Sequence, residues 1–161
     1  MSKPDTAGVI APPPLLALAA VVFGLLLDGL FPAYVLAVLL PHGEHRLIGV
    51  ILIVAGLTLA IPAVLAFRRA GTHAEPWKPA TALVTDGVFR FLRNPMYAGM
   101  LLFVAGLAFL VASDWMLVMT IVLAFVLHIG VVKREERYLG GKFGAAYRRY
   151  CETVPRYGWP F

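Results

Sequence analysis

The sequence is poor in cysteine and in charge. Its single cysteine, Cys151, cannot form an intrachain disulfide, and one thiol does not suggest a metal cluster. Only 14% of the 161 residues are charged, whereas soluble proteins average about 25%. A soluble domain of this length could not bury a composition that is 60% hydrophobic. We therefore predict a single domain, residues 1–161, that lipid solvates in part.

Four apolar stretches predict membrane-spanning helices, since crossing the bilayer takes roughly 20 apolar residues. They cover about 14–30, 47–67, 96–112 and 115–132. Phe31–Leu40 is apolar but too short to cross again, so it either continues the first helix or lies along the interface. The N-terminus has no convincing cleavage site, and we predict no removable signal peptide. The predicted fold class is all-α and integral to the membrane, with four transmembrane helices.

The basic residues predict the orientation of these helices. With four spans, thirteen of the fourteen Lys and Arg residues fall on one side, and only Arg46 falls on the other. Cytosolic loops carry the excess of positive charge. The count therefore predicts a multi-pass membrane protein whose two termini and 68–95 loop are cytosolic. The net charge of +5 is explained by this placement, and we predict no nucleic-acid partner.

Glycines recur at helical spacing in the second and third spans. Gly49 and Gly56 are seven residues apart, as are Gly99 and Gly106, so each pair lies on one helix face. Small residues allow helix backbones to approach closely in lipid. The spacing predicts close helix packing at these positions.

The loop at 68–94 is long, since connectors beyond about 12–15 residues are usually functional or disordered. Its hydrophobic content argues against disorder and favours a lid or wall folded against the helix ends. The alternative is interfacial anchoring by Trp77, Phe89 and Phe91.

After Val132 the sequence becomes polar and charged. Leu139, Phe143, Tyr147 and Tyr150 recur at helical spacing, which predicts an amphipathic helix on the cytosolic surface. Glu135 and Glu136 precede it, and the simplest role for them is surface pairing with the neighbouring basic residues.

Two motifs resemble those of the isoprenylcysteine carboxyl methyltransferase family. The first is Leu83-Val84-Thr85-Asp86-Gly87-Val88-Phe89 followed by Arg93-Asn94-Pro95-Met96-Tyr97-Ala98-Gly99. The second is Glu135-Glu136 followed by Leu139, Phe143-Gly144, Tyr147, Tyr150 and Val154-Pro155. Order and spacing match over roughly residues 68–161, whereas the first 67 residues match only in being apolar. Phosphatidylethanolamine N-methyltransferases share the Asn-Pro-Met-Tyr run and the paired glutamates.

The resemblance implies an integral-membrane enzyme that transfers a methyl group from S-adenosyl-L-methionine and releases S-adenosyl-L-homocysteine. Such enzymes lack a Rossmann fold, and no Gly-x-Gly-x-x-Gly motif follows a predicted strand here. The implied cofactor region is 70–97 together with 133–161. By position, the implied cofactor contacts are Leu83, Val84, Phe89, Asn94, Pro95, Met96, Tyr97 and Glu135.

These residue types suit the cofactor's chemistry. Asn94 and free amides at the start of the third span can bind its amino-acid end. The ring of Tyr97 can face a cation, and Glu135 can pair with the ammonium or the sulfonium. Pro95 sets the entry of the helix without removing a needed donor.

The methyl acceptor is expected to be lipophilic and to enter from the bilayer among membrane lipids. The carboxyl-methylating branch usually has His at the position of Asn94, and the phospholipid branch tolerates Asn. Where the carboxyl-methylating branch has a substrate-binding arginine, this sequence has Val131. His128 and Arg134 are nearby and are the candidate substrate-binding residues, although His128 also suits a hydrogen-bonded structural role.

For an amine acceptor, Glu136 is the candidate catalytic base. Phospholipid amines and other small hydrophobic molecules are alternative acceptors. A non-catalytic membrane interaction protein with the same fold is the alternative from another class.

Overall fold

The fold is built from helices alone within residues 5–40 and 43–158, which the computed structural model of the chain describes. The seven α-helices are α1 (Pro13–Leu30), α2 (Val35–Leu39), α3 (Glu44–Arg69), α4 (Pro95–Leu110), α5 (Asp114–Leu127), α6 (Lys133–Phe143) and α7 (Ala145–Thr153). A 3₁₀ turn, Gly87–Arg90, lies in the loop between α3 and α4. The all-α prediction is confirmed for this part of the chain. Residues 159–161 of the predicted cofactor region lie outside the described residues.

Within the described residues, three helices are long and apolar enough to cross a membrane. They are α1, α3 and a continuous helix of 30 residues, Asp114–Phe143. In this last helix a π-helical turn, His128–Val132, joins α5 to α6. The predicted third span forms α4, which has only 16 residues. At about 1.5 Å per residue, the 30-residue helix exceeds a hydrocarbon layer of about 30 Å. Its charged end, from Lys133 onwards, therefore projects beyond the apolar segment.

The predicted close packing of glycines is confirmed between α3 and α4. A Cβ atom added at Gly56 would lie 2.6 Å from the Gly99 carbonyl oxygen. At Gly49, an added Cβ atom would lie 2.7 Å from the Gly106 carbonyl oxygen. The two backbones are in direct contact along this face, and α3 packs mainly on α4 as a result.

The segment that was predicted to continue α1 or lie along the interface forms α2. The carboxylate of Asp114 accepts hydrogen bonds from the amides of Val35 and Leu36, at 2.8 and 3.0 Å. Ser113 caps the start of α5 by accepting a hydrogen bond from the Met116 amide at 3.0 Å. The turn at 113–114 therefore fixes α2 as well as connecting α4 to α5.

The C-terminal region contains two helices where the sequence predicted one amphipathic helix. Gly144 has φ +53°, a backbone conformation that side-chain-bearing residues rarely adopt. It ends α6 and changes the direction of the chain before α7. The second helix buries Tyr147 and Tyr150 against Ala63 of α3 and against Val84 and Phe89 of the loop. This cluster attaches the loop to the helix ends.

Candidate functional site

A pocket lies where the end of α3, the 70–94 loop, the start of α4 and α6 meet. All eight residues predicted to contact a cofactor line this pocket: Leu83, Val84, Phe89, Asn94, Pro95, Met96, Tyr97 and Glu135. Glu136 and Arg93 also line it. Both motifs, about 40 residues apart in sequence, therefore contribute to a single pocket.

The start of α4 presents backbone donors to the pocket. Pro95 occupies the first helical position, and no side chain caps the helix. The first amides of an α-helix have no partner within the helix, so they favour an anion. Asn94 precedes the helix and is 9% exposed. Its Nδ2 donates to the Arg156 carbonyl oxygen at 3.3 Å, which orients the side chain amide toward the C-terminal segment.

Glu135 faces the pocket from the projecting end of the 30-residue helix. Burial raises the pKa of Glu135 to about 7; the Tyr97 hydroxyl beside it opposes this rise, and the Glu136 charge adds to it. A carboxyl group with this pKa is partly ionised at neutral pH. It can therefore bind a cation from solution without a large cost of deprotonation.

Glu136 is held by two arginines. Arg156 binds it with two parallel hydrogen bonds, Nε–Oε1 at 2.8 Å and Nη2–Oε2 at 2.7 Å. Arg93 Nη1 lies 3.0 Å from Oε1, and the Arg93 amide donates to the Pro155 carbonyl oxygen at 2.9 Å. Donating these hydrogen bonds to Glu136 raises the pKa of Arg156. We define Glu136, Arg93 and Arg156 as the arginine latch, because together they fasten the C-terminal segment to the start of α4.

Aromatic and aliphatic side chains form the opposite wall of the pocket. The rings of Phe67 and Phe89 meet edge to face, with centroids 5.2 Å apart. The Tyr150 hydroxyl donates to the Phe89 carbonyl oxygen at 2.7 Å, and burial raises the pKa of Tyr150. This bond fixes the 3₁₀ turn. Phe89 is therefore part of a wall rather than an interfacial anchor, whereas Phe91 is 72% exposed.

The two residues predicted to bind substrate do not line the pocket. His128 Nδ1 is 2.9 Å from the Tyr157 hydroxyl, and Arg134 Nη1 donates to the Gly8 carbonyl oxygen at 2.7 Å. Consecutive residues of a helix point about 100° apart, so Arg134 and Glu135 lie on different sides of the helix. The substrate-binding role of both residues stays a prediction.

A second cavity adjoins the first. The start of α1, the end of α3 and α4 contribute Pro13, Pro14, Val64 and Met100 to its lining. Phe67, Met96 and Tyr97 line both cavities. No motif marks this cavity, since prolines at the start of a predicted span are explained by helix initiation alone. Arg156 was missed because no motif marks it, and its role follows only from its contact with Glu136.

Comparisons with known proteins agree with the two motifs. A family profile described as phospholipid methyltransferase matches residues 45–146, so the similarity begins earlier than residue 68, within α3. Protein-S-isoprenylcysteine O-methyltransferase A of Arabidopsis thaliana is 30% identical over 115 residues, which are 70% of this chain and 58% of the relative.

The protein-S-isoprenylcysteine O-methyltransferase of Schizosaccharomyces pombe is 34% identical over 76 residues, covering 45% of this chain and 31% of the relative. A probable protein-S-isoprenylcysteine O-methyltransferase of Oryza sativa subsp. japonica is 29% identical over 119 residues, or 71% of this chain and 60% of the relative. The matches thus span less than two thirds of the length of these curated relatives. No solved structure matches the chain. The predicted resemblance is confirmed, and the chain belongs to the phospholipid methyltransferase family, in which it is similar to isoprenylcysteine methyltransferases.

Proposed function

We propose that this protein is a membrane methyltransferase that uses S-adenosylmethionine to methylate a lipophilic acceptor. The observation that carries the proposal is the meeting of Asn94–Tyr97 and Glu135 in one pocket. The names of the relatives support the same reaction class.

The pocket fits the functional groups of S-adenosylmethionine. The uncapped start of α4 suits the carboxylate, and Glu135 suits the ammonium or the sulfonium. The apolar wall with Phe89 suits the flat adenine ring. When bound, the cofactor supplies an electrophilic methyl group, and the residues around it bind, orient and exclude water.

The second cavity is the proposed site of the acceptor. Its lining is largely apolar, with Pro13, Val64 and Met100 from three helices. It shares Met96 and Tyr97 with the cofactor pocket, so the two ligands would meet at the first turn of α4. The second cavity suits an acyl or isoprenyl chain, because apolar side chains make up most of its lining. The start of α1, which packs on α5 and α4, borders the cavity beside the end of α3.

The arginine latch favours a carboxylate over an amine as the acceptor group. Methylation of a carboxylate releases no proton, so this reaction needs no catalytic base. An amine acceptor needs a base, and both oxygens of Glu136 already accept hydrogen bonds from arginine. Glu136 therefore stays the predicted base only for amine acceptors, and we propose a structural role for it in the O-methylating reaction.

We also propose that four helices cross the membrane, with the 16-residue α4 as the third crossing in chain order and the site on the cytosolic side. The Lys142–Asp5 ion pair at 2.6 Å supports this topology, because it places the N-terminal segment at the same end of the molecule as α6. Asp5 and Lys142 can meet on one side of the membrane only if the chain between them crosses the membrane an even number of times.

Binding of S-adenosylmethionine to the purified protein in detergent tests the proposal. Calorimetric titration of the parent should show binding, and Glu135→Gln and Asn94→Ala should weaken it by roughly tenfold each, which corresponds to the loss of one charge-assisted hydrogen bond. Glu152→Gln, an exposed carboxylate on α7, is the matched control and should bind as the parent does. A parent that binds no cofactor would overturn the methyltransferase assignment. Unchanged binding by Glu135→Gln would overturn only the site.

The acceptor class is tested separately with a labelled methyl donor. Transfer to a prenylcysteine analogue but not to phosphatidylethanolamine is the expected result. Transfer to phosphatidylethanolamine alone would contradict the O-methyl assignment. Binding without transfer to any lipophilic acceptor would favour the interaction-protein alternative.

A further inference from the structure

The segment Asp5–Ile10, here called the N-terminal strap, lies between the long loop and the 30-residue helix. The Ala7 amide donates to the Pro76 carbonyl oxygen at 3.3 Å, and the Ile10 amide donates to the Gly130 carbonyl oxygen at 3.2 Å. Ile10 packs so closely on Gly130 that an added Cβ atom there would lie 2.3 Å from Ile10 Cδ1. The strap is thus fixed to the helix at one end and to the loop at the other.

The hydroxyl of Tyr138 joins the strap to both walls. It donates its hydrogen to Asp5 Oδ1 at 3.0 Å. It accepts hydrogen bonds from the Ala80 amide at 3.0 Å and from Lys142 Nζ at 3.0 Å. A tyrosine hydroxyl has one donor and two acceptor sites, so all the hydrogen-bonding sites of this hydroxyl are occupied. Phenylalanine could replace the ring, but none of these bonds would survive.

These contacts control one wall of the candidate cofactor pocket. Pro76, Ala80 and Tyr138 all line it. The base of the loop is held separately, because Thr72 Oγ1 accepts the Thr81 amide at 2.9 Å. Between these points, residues 73–80 form no helix. The contacts of Ala7 and Tyr138 therefore hold the tip of the loop against α6.

The outermost contact is an ion pair open to solvent. Lys142 Nζ lies 2.6 Å from Asp5 Oδ2, and the two side chains are 28% and 59% exposed. Lys142 and Tyr138 lower the pKa of Asp5, so its carboxylate is charged at neutral pH. Ion pairs at this exposure are weakened by salt.

We propose that Tyr138 is a positioning residue for the cofactor, and that the N-terminal strap closes the loop over the bound cofactor through it. This inference rests on the proposed cofactor site. Entry and release of the cofactor then require the strap to separate from the loop or from α6. The Asp5–Lys142 pair sets how readily the strap opens.

The rate of cofactor release provides the test. Tyr138→Phe should raise the dissociation rate of S-adenosylmethionine and its KM about tenfold, the effect of losing one to two hydrogen bonds. The KM for the acceptor and kcat at saturating cofactor should stay at the parent values. A purely structural role would change all of these together with the thermal midpoint. Glu152→Gln is the charge control.

Salt provides a second measurement on exposed side chains. In the parent, the dissociation rate should rise between about 0.05 and 0.5 M salt, because screening weakens the Asp5–Lys142 pair. Asp5→Asn and Lys142→Met should release the cofactor faster at low salt and lose the salt dependence. Asp5→Glu, which keeps the charge, should restore part of it. These variants decide the question if Tyr138→Phe does not fold.

The two proposals fail in different ways. A parent that binds no S-adenosylmethionine overturns the proposed function. If the parent binds it while Tyr138→Phe, Asp5→Asn and Lys142→Met release it at the parent rate, the strap inference is wrong and the function stands.

Discussion

Replacing Gly99 with alanine tests how closely α3 and α4 must approach to form the candidate cofactor site. The new Cβ atom would lie 2.5 Å from the Gly56 carbonyl oxygen and 3.0 Å from Ala60 Cβ. Real Cβ atoms essentially never come within 3.0 Å of a heavy atom in another part of the chain. The two helices would therefore have to separate by at least about 0.5 Å, since backbone cannot rotate away as a flexible side chain can.

This displacement should reach the site, because Gly99 follows Tyr97 by two residues on the same helix. Overpacking a tightly packed contact typically costs about 1–3 kcal/mol, which we expect as the loss in unfolding free energy. A 1 Å misplacement of the groups that position a substrate can lower the reaction rate by a factor of about 100. With the same sensitivity for binding, half that distance should weaken S-adenosylmethionine binding roughly tenfold. Thermal unfolding in detergent and calorimetric titration measure the two effects.

Gly141→Ala is the matched control. Gly141 is also helical, in α6, but an added Cβ atom would meet nothing within 4 Å. Alanine there should stabilise the protein by up to about 1 kcal/mol, because glycine is the poorer helix former. If Gly99→Ala unfolds and binds the cofactor as the parent does, the close approach of α3 and α4 is not needed and the reasoning is refuted.

Two further predictions concern the glutamate pair. Glu136→Gln should lower the unfolding free energy by about 3 kcal/mol, because it leaves Arg93 and Arg156 without a counter-charge in a partly buried site. Chemical denaturation measures this loss. An effect no larger than that of the control Glu152→Gln would contradict the arginine latch. The affinity for S-adenosylmethionine should fall as the pH drops below 7, and the fall should approach about tenfold per pH unit. The reason is that the pKa of Glu135 is raised to about 7, so protonation below this pH removes the charge that pairs with the cofactor. Titrations across this range should show a flat profile in Glu135→Gln, and a parent as flat as this variant would show that the carboxylate is not used.

Periodicity and the two motifs predicted much of this arrangement. Seven-residue spacing placed Gly49 and Gly56 on one helix face, and α4 packs on that face. The motifs selected eight residues that share one pocket. The first prediction rests on helical spacing, and the second on a family resemblance carried over by position.

Contacts between distant parts of the chain could not be predicted in this way. Arg156 reaches Glu136 across 20 residues, and nothing in its local sequence distinguishes it from other basic residues. The π-helical turn before Lys133 changes which side chains share a face, so proximity in sequence could not predict that Arg134 contacts Gly8. Periodicity predicted one helix after Val132, yet the positive φ of Gly144 divides the region into two.

If α4 crosses the membrane as proposed, its length affects the bilayer as well as the protein. Its 16 residues extend about 24 Å at 1.5 Å per residue, some 6 Å less than a hydrocarbon layer of about 30 Å. Hydrophobic mismatch of this kind thins the surrounding lipid or draws polar groups inward. With α4 as a proposed crossing, its first turn, with Asn94 before it, would lie at the depth where lipid headgroups give way to chains. A lipid-anchored acceptor can present its polar end there without lifting its hydrocarbon chain out of the membrane.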